Sequence, residues 1–404
     1  MLENIPERTD PILVGFPTPA AAAASPGVLL AATLQALRED RSFGAAPRPR
    51  PAIDRDDCEG AARAAGLTYA STDEPGITRR KAGKGFTYRD LDGSRISDPE
   101  VLKRIRSLVI PPAWKSVWIC PDPDGHIQAV GLDERGRRQY RYHPRFREVR
   151  ESVKFEHMIG FAEALPRMRL RIEADMMAPG HGRRQVLATV AHLLETTMIR
   201  VGNRAYAKEN HSYGLTTLQN RHAKVEGAKL KLNFKGKSGK VWKLDVSDRR
   251  IARIVKSCQE LPGQNLFQYV DEEGQPQAIT SADVNAYLKE ISGRDITAKD
   301  FRTWNGTVLA AVALTEIGRA QHQTGAKKNV TRAIEQVSTR LGNTPAICRK
   351  CYVHPDVLSA YLDGGFALEV PPPLGEGALA LLRPEEAAVL AFLRGRAGRT
   401  QTTT

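Results

Sequence analysis

Cysteine is scarce in this 404-residue chain, and none of it is spaced to staple a fold. The five cysteines, Cys58, Cys120, Cys258, Cys348 and Cys351, are odd in number and scattered, which argues against a disulfide framework and for a reducing compartment. An uninterrupted apolar run is also missing. The stretch from Pro11 to Leu37 is broken by Pro17, Pro19, Pro26 and Gly27 and follows an acidic start, so it reads as neither signal peptide nor membrane span. There is no Gly-rich phosphate loop of the Walker type and no carboxylate cluster of the two-metal sort, so no nucleotide or metal is expected. Cys348, Cys351 and His354 approach zinc spacing, but no second pair lies nearby. Internal repeats are absent.

What the chain has in excess is positive charge. A net charge of +14 and a pI of about 9.6 point to a polyanionic partner, and the distribution is sharper than the sum. Residues 1–75 hold 7 basic and 11 acidic side chains and residues 361–404 hold 4 and 5, so 76–360 carry +19. Hydrophobic content of 41% fits a soluble, globular, multidomain chain.

The pattern divides the chain into four parts. Residues 1–77, with Ala20 to Ala24 and Pro47-Arg-Pro-Arg-Pro51, read as a flexible extension. Residues 78–144 alternate as strands do around Gly85 to Asp90, Val117 to Cys120 and Ile127 to Leu132, with a capping box at Ser97-Asp-Pro-Glu100 opening one helix. From 145 to 366 the period is helical: Phe146 to Ala164, Met168 to Met177, Gln185 to Ile199, then starts at Arg249, Ser281 and Thr297 and a helix from Lys328 to Leu341 closed by Gly342. Lys229 to Lys235 and Lys240 to Val246 alternate around Gly236 and Gly239 as a β-hairpin. Residues 367–404 read as a linker, with Pro371-Pro-Pro-Leu-Gly375, and a short helix. The expected class is α+β: a small β-rich domain followed by a larger, mainly helical domain carrying the hairpin.

The segment Thr344-Pro-Ala-Ile-Cys-Arg-Lys-Cys-Tyr-Val-His-Pro355 sets a lone tyrosine after a basic turn. A phenol with a pKa near ~10 is a poor nucleophile at neutral pH, so tyrosine chemistry on phosphate needs cations around it. Three stand upstream, in order: Arg200 in Ile199-Arg-Val-Gly-Asn-Arg-Ala-Tyr206, Lys237 in Phe234-Lys-Gly-Lys-Ser-Gly-Lys240, and Arg302 in Lys299-Asp-Phe-Arg-Thr-Trp304. Singly, each has a plain reading: an arginine at a helix end caps it, a lysine in a turn is solvated, a tyrosine packs on a core.

Together the series resembles the type IB DNA topoisomerases, in particular their poxviral and bacterial branch. The string from Arg200 to Leu218, followed by Arg221-His-Ala-Lys224, is similar to the family's first arginine motif, and the resemblance runs from about Ala82 to Leu362. It implies that Tyr352 attacks the scissile phosphate and joins the 3′ end, relaxing positive and negative supercoils without ATP or metal. It further implies that Arg200 and Arg302 hold the non-bridging oxygens by bidentate bonds and that Lys237 protonates the departing 5′ oxygen. The chemistry demands such parts, because an alkoxide leaves poorly without a general acid and guanidinium forks match equatorial oxygens. Where poxviral members have histidine, this chain has Asn343, which can donate an amide hydrogen bond but cannot carry a proton; its plain reading is a helix cap.

The resemblance also places Gln139, Tyr140, Tyr142, Tyr206 and Lys299 against double-stranded DNA. In Arg135-Gly-Arg-Arg-Gln-Tyr-Arg-Tyr-His-Pro144, strand spacing puts Gln139 and Arg141 on one face and Tyr140 and Tyr142 on the other. The two domains would clamp the duplex, with affinity falling steeply with salt. A monomer in the cytoplasm, associated with the nucleoid, is the expected form. A tyrosine recombinase shares the core logic but usually has histidine three residues before the second arginine, where this chain has Lys299. A non-catalytic architectural protein would explain the charge and leave the ordered Arg, Lys, Arg, Tyr series unexplained.

Overall fold

Apolar spacing and capping chemistry account for most elements of the computed structural model, which describes residues 57–178, 182–369 and 381–401. Two compact units divide them, the first ending at His157 and the second beginning at Met158.

In the first unit α1 (Cys58–Ala64) precedes β1 (Ile77–Ala82), β2 (Gly85–Arg89), α2 (Pro99–Ser107), β3 (Lys115–Ile119), β4 (Ile127–Leu132) and β5 (Arg138–Tyr142). The strands form one antiparallel sheet in the order β2-β1-β3-β4-β5, so β5 is an edge. Ile77, Ile105, Val117, Ile119 and Ala129 form its core beneath α2. The cap of α2 is Asp98, one residue beyond the expected Ser97: its carboxylate accepts from Glu100 N at 2.8 Å, with Pro99 opening the helix. The expected extension also ends earlier than read. Of residues 1–77, 1–56 lie outside the described residues, whereas Asp57 caps α1, and Ala61, Ala62 and Leu67 pack on Phe146.

One helix, α3 (Pro144–Met177), replaces the two expected around Pro166, and the division between units falls inside it. Proline removes one backbone bond, but Met158, Phe161, Leu165, Met168, Ile172 and Met176 form a buried stripe spanning both sides of it, and the gain from burying that stripe exceeds the lost bond. The second unit continues with α4 (Arg183–Thr197), α5 (Arg204–Asn210), β6 (Ala223–Glu226), β7 (Lys229–Lys235), β8 (Val241–Ser247), α6 (Arg249–Glu260), β9 (Gln268–Val270), β10 (Pro276–Ala278), α7 (Ser281–Ser292), α8 (Ala298–Ile317), α9 (Gln323–Leu341), α10 (Pro345–Cys351), α11 (Pro355–Leu362) and α12 (Pro384–Gln401). The expected hairpin is the β7–β8 pair, with Phe234 opposite Trp242, and β6 adds a third strand. Asp248, Thr280 and Thr297 stand at the caps of α6, α7 and α8, and Gly342 closes α9 at φ +61°. Helix α9 starts five residues before the expected Lys328. The linker at 371–375 lies outside the described residues.

The C-terminal helix is tied down by charge. Arg169 on α3 bonds Glu195 on α4 at 2.6 Å and Glu386 on α12 at 2.8 Å, and Arg383 reaches Glu195 at 3.2 Å. Burial works against the charge on Glu386, but bonds and attraction from Arg169 prevail and hold its carboxyl below the ordinary range. Among the described residues no helix is long and apolar enough to cross a membrane.

Two outcomes follow from these contacts. Glu386→Ala strips Arg169 of a buried charged partner and is expected to destabilise the second unit by about 2–3 kcal/mol, read as a lower urea midpoint. In the first unit His126 is buried, accepts from Ala70 N at 3.1 Å through Nδ1 and stacks on Tyr69, and burial lowers its pKa. A depressed histidine favours the neutral form in the folded state, so its contribution is complete above about 6.5 and is lost as pH falls below that value. Thermal melts of His126→Gln should accordingly lose less Tm than the parent between about pH 7.5 and 5.5.

Candidate active site

Four chain segments meet around one tyrosine, and each is held by a different local device. Helix α4 ends at Thr197, and Met198 turns the chain in the left-handed region at φ 57°, sending Arg200 sideways. Leu215 N then bonds Arg200 O at 2.9 Å and Thr216 N bonds Val201 O at 2.7 Å. Two glycines permit this approach: Gly202 sits at φ +106°, and a Cβ at Gly214 would lie 2.5 Å from Arg200 O.

Arg302 occupies the second turn of α8 and is 3% exposed. Its Nη1 donates to Met198 O and its Nη2 to Leu341 O at 2.7 Å. Both acceptors lie at helix C-termini, where partial negative charge compensates a buried cation. A guanidinium has five N–H groups, and among the described residues the buried Nε of this one has no hydrogen-bond partner. The guanidinium carbon stands 5.1 Å from the centroid of the Tyr352 ring. Burial first, then Arg200, pushes the Arg302 pKa down to about 10, opposed by Tyr352, so the group remains cationic at neutral pH. Burial likewise lowers Arg200, with Tyr352 acting the other way.

Tyr352 is the residue at which α10 ends, its N–H bonding Cys348 O at 2.9 Å. One turn beyond Arg302, Gly306 lies so near that a Cβ there would stand 2.6 Å from Tyr352 O. The adjacent Thr307 hydroxyl accepts from His354 N at 3.0 Å and donates to Thr303 O at 2.9 Å, pinning the chain just past the tyrosine. Thus the helix that carries Arg302 also sets where Tyr352 sits.

Asn343 joins the group through Arg200, whose Nη2 donates to its Oδ1. Among the described residues its buried Nδ2 has no partner, and Thr344, not Asn343, caps α10 by accepting from Ile347 N. Lys237 is exposed on the β7–β8 turn, where Gly236 N bonds Lys240 O at 2.8 Å and Ser238 and Gly239 take positive φ. Arg200, Lys237, Lys299, Arg302, Tyr206 and Tyr352 line one cleft of about 280 Å³ whose lining, among the described residues, contains no carboxylate. Burial and Arg200 also lower the pKa of Lys240 beside it. Cys348 is fully buried, and that burial raises its thiol pKa to about 11, which keeps it protonated. Among the described residues no group of His, Cys, Asp and Glu could hold a metal ion.

Tyr206 and Lys299 thus share the cleft with Arg200, Lys237, Arg302 and Tyr352, Asn343 reaches it through Arg200, and Gln139, Tyr140 and Tyr142 belong to β5 of the first unit. Tyr140 and Tyr142 stack at 5.9 Å on the more exposed face, 43% and 36% exposed, and Arg138 lies over Tyr140. Gln139 points the other way and donates to Asp133 at 3.0 Å. Sequence reasoning missed Gly202, Gly214, Gly306, Thr307 and Lys240. A glycine inside the α8 pattern was a signal, since it costs about 1 kcal/mol against alanine and asks for a packing reason; Thr307 carries none.

Comparison with known proteins places the chain in a family. A family model described as the catalytic core of eukaryotic DNA topoisomerase I matches residues 143–365, and one for the N-terminal domain of bacterial DNA topoisomerase IB matches residues 85–133. The chain belongs to the type IB DNA topoisomerases. It is 32% identical over 293 residues to DNA topoisomerase 1B of Acanthamoeba polyphaga mimivirus, covering 71% of this chain and 87% of the relative. Against DNA topoisomerase 1B of vaccinia virus (strain Copenhagen) the identity is 27% over 243 residues, 59% of this chain and 73% of the relative. This topoisomerase is therefore an isomerase whose substrate is DNA. The matched core contains Arg200, Lys237, Arg302, Asn343 and Tyr352, and Gln139, Tyr140 and Tyr142 fall between the two matched ranges.

Gly306→Ala offers a test of the packing that seats the tyrosine. The added methyl must displace the Tyr352 backbone, and a misplacement near 1 Å can cost about 10²-fold in rate. The rate at which the chain changes plasmid topology should fall by at least about tenfold while DNA binding in a gel-shift assay is retained.

Proposed function

We propose that this topoisomerase relaxes positive and negative supercoils by cutting one strand through a 3′-phosphotyrosyl intermediate and resealing it, with no need for ATP or metal. The Tyr352 Oη forms a bond to the scissile phosphorus as the bond from phosphorus to the 5′ oxygen breaks. The phenolic proton goes to solvent, and Lys237 gives a proton to the departing oxygen. Arg200 and Arg302 neutralise the charge that builds on the non-bridging oxygens, and Asn343 donates its free amide hydrogen to one of them. Resealing is the reverse, so one phosphodiester is exchanged for another and no outside energy is required. Swivelling of the cut strand between the two steps removes turns of either sign.

The observation that carries this reading is the carboxylate-free cleft in which Arg200, Lys237 and Arg302 surround Tyr352, with Arg302 beside its ring. Unspent donors at Arg302 Nε and Asn343 Nδ2 suit an anion with several acceptor oxygens. The proposal includes a clamp in which β5 faces the duplex through Tyr140 and Tyr142, and a monomer working at the nucleoid, because one nucleophile suffices per event. Lys299 completes the proposed DNA contacts, with Tyr206 beside the scissile step; Gln139, on the other face of β5 and bonded to Asp133, supports the strand rather than facing the duplex with Tyr140 and Tyr142.

The test is relaxation of supercoiled plasmid in chelator without nucleotide. The wild-type chain should convert both negatively and positively supercoiled plasmid to relaxed topoisomers, and Tyr352→Phe should abolish conversion while binding persists, because only the attacking oxygen is removed. Relaxation by the Phe variant, or dependence of the parent on added metal or ATP, would refute the proposal.

A further inference from the structure

One indole touches the backbone just ahead of two residues of the site. Trp242 on β8 is 4% exposed and stacks in parallel on Phe234, its cross-strand partner, at 6.3 Å. Its pyrrole edge faces Gly236: a Cβ there would stand 2.7 Å from Nε1 and 2.8 Å from Cδ1. Its benzene edge faces Gly342, where a Cβ would stand 2.7 Å from Cζ2. Gly236 immediately precedes Lys237, and Gly342 immediately precedes Asn343. The ring therefore fills the gap between the hairpin turn and the end of α9 and sets its width. Neither glycine can take a side chain without displacing the ring or its own backbone, and Gly342 also holds φ +61°.

Lys240 closes the same junction. Its Nζ donates to Thr339 O at 3.4 Å in the last turn of α9, a favourable place for a cation, and its Cδ would lie 3.4 Å from a Cβ on Gly342. The two side chains emerge from β8 and its preceding turn and grip one helix end. That end also supplies Leu341 O to Arg302 and carries Asn343, which bonds Arg200.

We propose that Trp242 and Lys240 are positioning residues that hold the Lys237 turn at a fixed spacing from the Asn343–Arg200 pair, so that the general acid meets the leaving oxygen. This rests on the reading of Lys237 as proton donor. A turn held only by its own hairpin would let a solvated lysine wander; docking it onto α9 confines that motion, and proton transfer is sensitive to such distances. Trp242→Phe shortens the spacer, and Lys240→Met removes the ammonium while keeping the apolar stem.

The discriminating experiment compares single-turnover cleavage of an ordinary strand with one whose bridging 5′ oxygen is sulfur. A thiol is more acidic than an alcohol, so a thiolate leaves without a protonated donor. On the oxygen substrate both variants should cleave about ten- to a hundredfold more slowly than the parent. On the sulfur substrate they should come within about threefold of it, because only the general-acid step is affected. Equal slowing on both substrates would mean a general structural loss, and parent-like rates on both would mean no role; either overturns the proposal. Lys237→Ala separates the two claims: it should lose about 10²–10⁴-fold on oxygen and recover on sulfur. Failure of that variant to recover would refute Lys237 as the acid, whereas recovery of Lys237→Ala with no recovery of Trp242→Phe would refute the positioning role alone.

Discussion

A buried guanidinium between two helix ends is the constraint around which the second unit is organised. Arg302 is almost wholly removed from water, and such a cation is tolerated only where its lost hydration is replaced. Here the replacement comes from Met198 O, at the end of α4, and Leu341 O, at the end of α9. The chain turns at Met198 to present Arg200 and at Gly342 to present Asn343, so the charge that must be compensated also brings these residues together. Its remaining donors and its place beside the Tyr352 ring follow from the same geometry. Acceptance by carbonyls rather than by carboxylates leaves the full positive charge in the cleft, which is the condition an attacking phenol requires.

Small residues decide how near the segments come. Gly214 admits the Arg200 carbonyl, Gly306 admits the backbone of Tyr352, and Gly236 and Gly342 admit the Trp242 ring. In each pair the glycine and its neighbour are far apart in the chain or on different elements, so a methyl group at any of them would move a residue of the cleft or one packed beside it rather than a surface loop. Thr307 completes the arrangement by bonding the backbone just past Tyr352 from one turn past Arg302.

Helix α12 extends this frame beyond the matched core, which ends at residue 365. Its Glu386 joins Arg169 of α3, which also bonds Glu195 of α4, and Arg396 approaches Asp356 of α11 at 3.9 Å. These links reach the helix that leads to Arg200 and the helix that follows Tyr352. Burial of Leu390 and Leu393 supplies the non-directional part of the attachment.

Much of this was legible in one dimension. Alternation and helical spacing determine where strands and amphipathic helices form, and capping residues such as Asp248, Thr280 and Gly342 mark their ends, because those preferences arise within a few bonds. The order Arg200, Lys237, Arg302, Tyr352 is also plain in the sequence, and it is the resemblance of the whole series to the type IB topoisomerases, not residue type alone, that suggests its chemistry. Local signals misled where a distant partner decides: Pro166 stays inside α3 because an apolar stripe on both sides is buried, and residues 57–67 fold because Phe146 receives them. The union of the cations around one phenol, the carbonyls that hold Arg302 and the indole between two glycines belong to tertiary structure. They depend on contacts between segments dozens of residues apart, and no short-range preference encodes such a distance.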